Sequence, residues 1–191
     1  MYRDFHCLIR GVAPLLMHNG QLANPTNFFA KELKKLSGKR NKTDADLEEL
    51  AHVEWLGSLY LDQGEPCIPG ELVEGTLVEA AKQQRRSKQV NAGVYCEGNF
   101  PLRYEGPRTP EALWQAEQFR FTTPARVRQN RVPRTRPRFD AWEAEVKVTY
   151  NDELLNPEEI FELLKIAGEQ VGIGDWRPKF GRFVVDVSKP E

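Results

Sequence analysis

Alternating apolar and polar residues predict strands in the chain. The clearest is 144–150, in which every second residue is apolar. Residues 5–17 carry apolar side chains on both faces, which is typical of a central strand that is covered on both sides. Weaker alternation marks 118–128, and an apolar run marks 180–187. These four segments are the predicted strands of the core.

Apolar residues at helical spacing predict two main helices. The first covers 71–84 and has acidic residues in its first turn. The second begins at Pro157, after the capping residue Asn156, and ends at Gly172. In chain order the elements are strand, helix, strand, strand, helix, strand, which is the split βαβ order of ferredoxin-like folds. We therefore predict an α+β, ferredoxin-like (RRM-type) βαββαβ core.

Two segments are predicted to be additions to this core within a single domain, 1–191. Residues 21–57 form a helical insertion after the first strand, with Thr43 as a helix cap and Asp46 at the capping-box position. Residues 85–140 are rich in arginine and form a basic loop region. The sequence shows no internal repeat.

Composition adds few constraints. The chain has 191 residues and a formal net charge of −1, so any binding of a polyanion must come from a local patch. Three widely spaced cysteines predict neither zinc nor a disulfide framework, and no metal or cofactor is expected. The N-terminus has no signal-peptide pattern and no segment is long enough to cross a membrane, so a cytoplasmic location is expected.

The segment between Phe119 and Phe139 contains seven arginines and no acidic residue. Such a run repels itself unless it meets an anion. Pro133 and Pro137 exclude a helix and keep the chain extended. Arginine matches phosphate oxygens and stacks on bases, so an extended basic arm that follows a strand of phosphates is predicted. The alternative is a solvated loop that pairs with Glu143, Glu145 and the insertion helix.

A second candidate site is the glycine-rich loop that follows the last helix. Glycines at 172, 174 and 181 permit positive φ and close approach of another backbone. Exposed backbone N–H groups in such a turn can bind an anion. Basic residues and Trp176 lie between the glycines, and phosphate-binding charge beside flat side chains is typical of single-stranded nucleic-acid sites. The alternative is a tight connection between a helix and a strand.

The histidines decide whether catalysis is expected. His18 follows the first strand, at a place suited to general acid–base chemistry. No second histidine or nearby tyrosine in the sequence is an obvious partner. We therefore predict that the protein is not an enzyme, with an endoribonuclease that uses His18 as the alternative.

Three separated segments resemble the repeat-associated (RAMP) superfamily of CRISPR proteins: GIGDWRPKFGRF at 172–183, IPGELVEGTL at 68–77, and GVAPLLM at 11–17. The nearest resemblance is to backbone subunits of CRISPR effector complexes, which stack head to tail along a guide RNA. Glu71 and Glu74 depart from the serine and basic residues usual at that helix start. The resemblance implies a thumb-like role for the basic region, RNA binding, and a filament of identical subunits on nucleic acid.

The expected function is sequence-independent binding of single-stranded nucleic acid, RNA rather than DNA, with CRISPR or phage proteins as further partners. A protein-interaction or decoy module of viral origin is the other alternative. The predicted nucleic-acid-binding residues are Arg126, Arg128, Arg131, Arg134, Arg136, Gly172, Gly174, Trp176, Arg177, Lys179 and Arg182.

Overall fold

The computed structural model describes residues 1–127 and 130–186, which form a mixed α and β structure with antiparallel sheets. The α-helices in these residues are α1 (Phe28–Ser37), α2 (Asp44–Ser58), α3 (Gly70–Gln83), α4 (Ser87–Gly93), α5 (Pro110–Gln115) and α6 (Pro157–Ile166). The strands in these residues are β1 (Tyr2–Gly11), β2 (Leu15–Leu16), β3 (Leu61–Asp62), β4 (Glu65–Pro69), β5 (Val94–Tyr95), β6 (Asn99–Pro101), β7 (Arg120–Val127), β8 (Asn130–Phe139), β9 (Glu143–Asn151) and β10 (Phe183–Asp186).

The main sheet has four strands in the order β10-β1-β9-β5, and every neighbouring pair is antiparallel. Its buried face packs against α3 and α6 through a core that includes Ile9, Leu77 and Leu164. The opposite face is open to solvent, because His6 and Arg10 are exposed. The prediction that the first strand is covered on both faces is therefore wrong, since the pleat alternates its side chains between core and water.

The second core strand was assigned to the wrong segment. Residues 118–128 do not join the main sheet; β7 pairs with β8 in a long antiparallel hairpin, and β8 also pairs with β2. The two-residue strand β5 lies beside β9 instead. A strand this short has too little alternation to be chosen as a core strand, whereas the alternation of 118–128, although weaker than that of 144–150, extends over more residues, and that segment was chosen in its place.

The basic region is more regular than predicted. Residues 83–91, expected as an exposed loop, include most of α4. The extended arm is β8, which pairs with β7 from Arg120↔Pro137 to Val127↔Asn130. The prolines agree with an extended chain, but the arm is a strand of a hairpin and not a separate limb.

The segment 21–57 contains α1 and nearly all of α2. The start of α2 is closed by a capping box in which Thr43 and Asp46 exchange hydrogen bonds. The helix then packs against β8, and the buried Trp55 Nε1 donates a hydrogen bond of 2.8 Å to the carbonyl of Phe119. The segment therefore supports the base of the hairpin. No helix among residues 1–127 and 130–186 is both apolar enough and long enough to cross a membrane.

Candidate nucleic-acid interface

The hairpin, β7 and β8 together, presents its arginines on two faces. Because side chains alternate along a strand, Arg134 and Arg136 lie on one face, with Phe121 opposite Arg136. Arg126 and Arg131 are opposite each other, near the tip, and belong to the other face. Both are exposed. The predicted set of arginines therefore does not form a single row.

Arg128 was also predicted to contact phosphate. It lies outside the residues that the structure describes. Its role stays a prediction.

Glu54 of α2 binds the base of the hairpin. Its side chain is only 3% exposed, and its Oε1 lies 3.0 Å from Arg134 Nη1 and 2.9 Å from Arg136 Nη1. Its Oε2 accepts a 3.0 Å hydrogen bond from the backbone N–H of Thr135. The carboxylate thus meets two cations and a backbone donor at the edge of β8.

Arg136 also joins the hairpin to the glycine-rich loop (172–181). Its Nε donates a 3.0 Å hydrogen bond to Asp175 Oδ2, and its side chain is only 9% exposed. The prediction that Arg136 contacts phosphate is therefore corrected: burial and two carboxylates hold it inside the protein. Arg134 is 35% exposed, so its guanidinium reaches solvent while it pairs with Glu54.

An aromatic cluster formed by Phe121, Trp176 and Phe180 completes this junction. The ring of Phe121 lies 5.9 Å from that of Trp176 and 5.4 Å from that of Phe180. The guanidinium of Arg138 lies over Phe121, and the ammonium of Lys179 lies near Phe180. The structure therefore brings the base of the hairpin and the glycine-rich loop together through a cluster of aromatic rings, of which Trp176 is exposed and Phe180 is buried, with cations beside it.

The glycines of this loop serve backbone packing. A Cβ on Gly174 would lie 2.4 Å from the carbonyl oxygen of Leu16, and one on Gly181 would lie 1.7 Å from that of Ile173. Gly172, Gly174 and Gly181 all have positive φ. Side chains at these positions would thus meet both a forbidden backbone conformation and an occupied space.

The loop's N–H groups are largely used inside the protein. Those of Ile173, Asp175 and Gly181 donate hydrogen bonds of 2.8 Å to the carbonyls of Gly181, Leu16 and Pro14. The N–H of Gly172 donates to Ala167. The predicted role of Gly172 in binding an anion through its backbone is therefore corrected, because that donor already has a partner.

The side chains of the loop remain available at the surface. Arg177, Lys179 and Arg182 are exposed, and 38% of Trp176 is exposed. Trp176 has a φ of 55°, and its backbone N–H donates a hydrogen bond to Asp175 Oδ1. Asp175 therefore orients both the tryptophan and Arg136.

His18 lies next to this junction. Its carbonyl accepts a 2.8 Å hydrogen bond from the hydroxyl of Tyr60. Desolvation lowers the pKa of His18, and the positive charge of Arg136 lowers it further, while Asp175 opposes the shift. The imidazole is thus neutral at pH 7 and is able to accept a proton.

The start of α3 borders a different cleft, of about 980 Å³, which we call the acidic cleft because Glu71, Glu74 and Glu97 line it. A Cβ on Gly70 would lie 1.6 Å from the carbonyl oxygen of Cys96. Glu74 accepts a 2.5 Å hydrogen bond from the N–H of Cys96. Carboxylates around this helix end disfavour phosphate there.

Glu54, Asp175 and Phe121 are the residues of the junction that were not predicted as functional. One feature of the sequence could have indicated Glu54. It lies within the apolar pattern of an amphipathic helix, and a buried glutamate needs a partner. Asp175 stands inside the glycine-rich loop but carries the wrong charge for a phosphate site. Its role as an organiser of cations becomes visible only with Arg136 beside it.

Comparison with known proteins adds no relative. No model of a known protein family matches the chain, and no curated protein matches it in sequence. Function is therefore inferred from the geometry above.

Proposed function

We propose that this protein binds single-stranded nucleic acid, RNA in preference to DNA, without reading its sequence. The observation that carries the proposal is the junction of the aromatic cluster with nearby cations. Arg177 and Lys179 are exposed on either side of Pro178, next to the partly exposed Trp176, while Arg138 lies over Phe121 and pairs with Asp140. Flat side chains beside positive charge bind single strands, because every base has a π-face and every nucleotide a phosphate.

The tip of the hairpin takes part in the same proposal. The pair Arg126 and Arg131 lies five residues along the strands from the pair Phe121 and Arg136. At about 3.3 Å per residue the two pairs are roughly 16 Å apart. The tip would then contact a second stretch of the nucleic acid, on the other face of the hairpin, while the base of the hairpin contacts the first stretch.

Membership of the RAMP superfamily is part of the proposal. The order β10-β1-β9-β5, with α3 between β1 and β5 and α6 between β9 and β10, supports a ferredoxin-like βαββαβ core. The resemblance of three sequence segments supports the same family. Assembly as a backbone-type subunit along the strand, in the cytoplasm and beside CRISPR or phage proteins, follows from that membership.

Fluorescence polarisation with labelled RNA and DNA single strands tests the proposal. We expect log affinity to fall linearly with log salt concentration, with a slope of about 0.7 for each phosphate contacted. RNA should bind more tightly than DNA of the same length. Absence of salt-sensitive binding to any single strand would sink the proposal.

Size-exclusion chromatography separates binding along a strand from a protein-interaction module. Oligomers that form only when an oligonucleotide is added support the proposed subunit. Oligomers of the protein alone, unchanged by oligonucleotide, support the interaction module.

An endoribonuclease is a second candidate, favoured by the neutral, exposed His18 beside Arg136. In this mechanism His18 would accept a proton from a 2′-hydroxyl. Incubation with structured RNA should give products that disappear in the His18→Ala variant. Intact RNA after incubation with the unaltered protein would exclude this candidate.

A further inference from the structure

A cleft of about 570 Å³ lies beside the glycine-rich loop, on the side away from the hairpin. We call it the loop cleft. The end of α3 contributes Glu79, Lys82 and Gln83, the π-helical turn after α6 contributes Gln170, and the loop contributes Asp175, Trp176 and Arg177. Its volume lies within the range of sites that enclose a small ligand.

Trp176 forms one side of this cleft. On its other side the indole meets Phe121 edge to face, at an interplanar angle of 87°, and lies 6.2 Å from the ring of Phe180. A non-glycine residue at positive φ is uncommon, and residues held so cluster at functional sites. The aromatic cluster and Asp175 therefore hold a partly exposed indole in place beside a cavity.

The opposite wall is polar. Gln83 and Gln170 are exposed, and each side-chain amide carries two donors and an acceptor. Lys82 pairs with Glu79 at the rim, while Arg177 is exposed beside Trp176. Glu79 neutralises Lys82, and Asp175 is paired with Arg136, so Arg177 is the cation that would meet a negative charge. A matching ligand would have a flat π-face, an edge of donors and acceptors, and a phosphate at Arg177. A nucleotide combines these three properties.

We propose that the loop cleft holds one nucleotide of the bound strand, with its base against Trp176, its base edge toward Gln83 and Gln170, and its phosphate at Arg177. This inference rests on the proposed function and names the part of the surface that takes a base. Amide side chains can rotate to present either a donor or an acceptor. The cleft would therefore accept different bases, in agreement with binding that does not read sequence.

Intrinsic fluorescence tests this site directly. Trp55, Trp114 and Trp142 are buried, so Trp176 is the tryptophan that a solute can reach. We expect AMP and UMP to quench the emission in a saturable way, and ribose 5-phosphate to leave it unchanged. The Trp176→Phe variant should lose the quenching. Equal responses to ribose 5-phosphate and to AMP would overturn the proposal.

Strand binding supplies the second test. Trp176→Ala should weaken binding of a base-bearing RNA about 5- to 100-fold, because stacking contributes about 1–3 kcal/mol per base. The same variant should bind an abasic strand of equal length as the unaltered protein does. Phe28→Ala is the control, because Phe28 is 68% exposed on α1, outside the loop cleft. Circular dichroism checks the fold, and Trp176→Tyr should restore part of the affinity.

The outcomes separate the two proposals. Equal weakening on base-bearing and abasic strands would mean that Trp176 only supports the loop, which overturns the nucleotide site. If binding of the strand is salt-sensitive but AMP does not change the tryptophan fluorescence, the proposed function stands and the nucleotide site is overturned. Specific quenching by AMP without any strand binding would keep the nucleotide site and remove the proposed function.

Discussion

The acidic cleft and the loop cleft are built alike in their backbone and differ in charge. In the lining of each, a glycine lies against a carbonyl oxygen: Gly70 against that of Cys96, and Gly174 against that of Leu16. Three glutamates line the acidic cleft, whereas the loop cleft has two carboxylates, Glu79 and Asp175, balanced by Lys82 and Arg177. The larger cleft is the acidic one, so size alone would have pointed to the wrong side of the molecule for a polyanion. Glycine marks close packing at both places, and the side chains around it indicate the ligand.

Substitutions of closely packed glycines have the largest expected effects on stability. Gly70→Ala and Gly181→Ala should each destabilise the protein by at least about 4 kcal/mol, because a Cβ would fall within 2 Å of a carbonyl oxygen. Urea denaturation of the purified variants measures the change. Gly75→Ala is the matched control in α3: nothing lies within 4 Å of its Cβ, so stability should rise by about 0.5–1 kcal/mol. A stable Gly181→Ala protein that has lost only nucleic-acid binding would contradict the packing role.

A buried anchor exists at the base of the hairpin, where Glu54 binds Arg134 and Arg136. Glu54→Gln should destabilise the protein by about 1–3 kcal/mol, since the buried Arg136 keeps Asp175 but loses its second carboxylate and the partly exposed Arg134 loses its partner. Thermal and urea unfolding measure this loss. Glu49→Gln, at an exposed position of the same helix, should have almost no effect. Equal stability of the two variants would show that the anchor is dispensable.

Charge reversal tests the difference between the clefts. Arg177→Glu should weaken binding of single-stranded RNA at least tenfold, since a hydrogen bond to a charged group contributes about 1.5–3 kcal/mol. It should also reduce the salt slope by about 0.7. Glu71→Lys, in the acidic cleft, should leave both quantities nearly unchanged. If the two substitutions were equivalent, the assignment of the polyanion to the loop cleft would be wrong.

The smallest expected effect is a dependence on pH that comes from His18. Its folded-state pKa lies below the ordinary value of 6.5, so the unfolded chain takes up a proton first as pH falls. Stability should therefore decline slightly from pH 6.5 downward, until the folded pKa is passed. In the acidic cleft, burial raises the pKa of Tyr60 to about 12, so it stays silent in this range. Melting temperatures of the unaltered protein and of His18→Gln, measured from pH 7.5 to 5, isolate the contribution of His18. If the two melting temperatures changed equally with pH, the prediction would be contradicted.

Local signals predicted the long elements of the fold well. The cap and proline at 156–157 predicted the start of α6, and alternation predicted β9. The two-residue β5 showed only a brief strand signal and was not placed in the core, and the short α4 was expected as a loop, because a segment of a few residues has no period to detect. β7 was placed in the wrong sheet, since alternation shows that a strand exists and not which strand it pairs with.

The candidate site was predicted in its chemistry and only partly in its geometry. The aromatic and basic character of 176–179 is visible in the sequence, and these side chains are at the surface. The arginine run was expected to meet an anion, with pairing to Glu143, Glu145 and the insertion helix as the alternative, and for Arg134 and Arg136 the partner is Glu54 of that helix. Arg134 pairs with Glu54, which lies 80 positions earlier in the sequence. Only the folded backbone brings such groups together, so sequence charge patterns overestimate how many cations remain for a ligand.

Arg136 connects three parts of the chain that are made at different times during translation. Glu54 leaves the ribosome first, the hairpin follows, and Asp175 emerges 39 positions after the guanidinium that it binds. A nascent chain that stops short of Asp175 therefore lacks both the second carboxylate of Arg136 and Trp176. The proposed binding surface is thus completed late in synthesis.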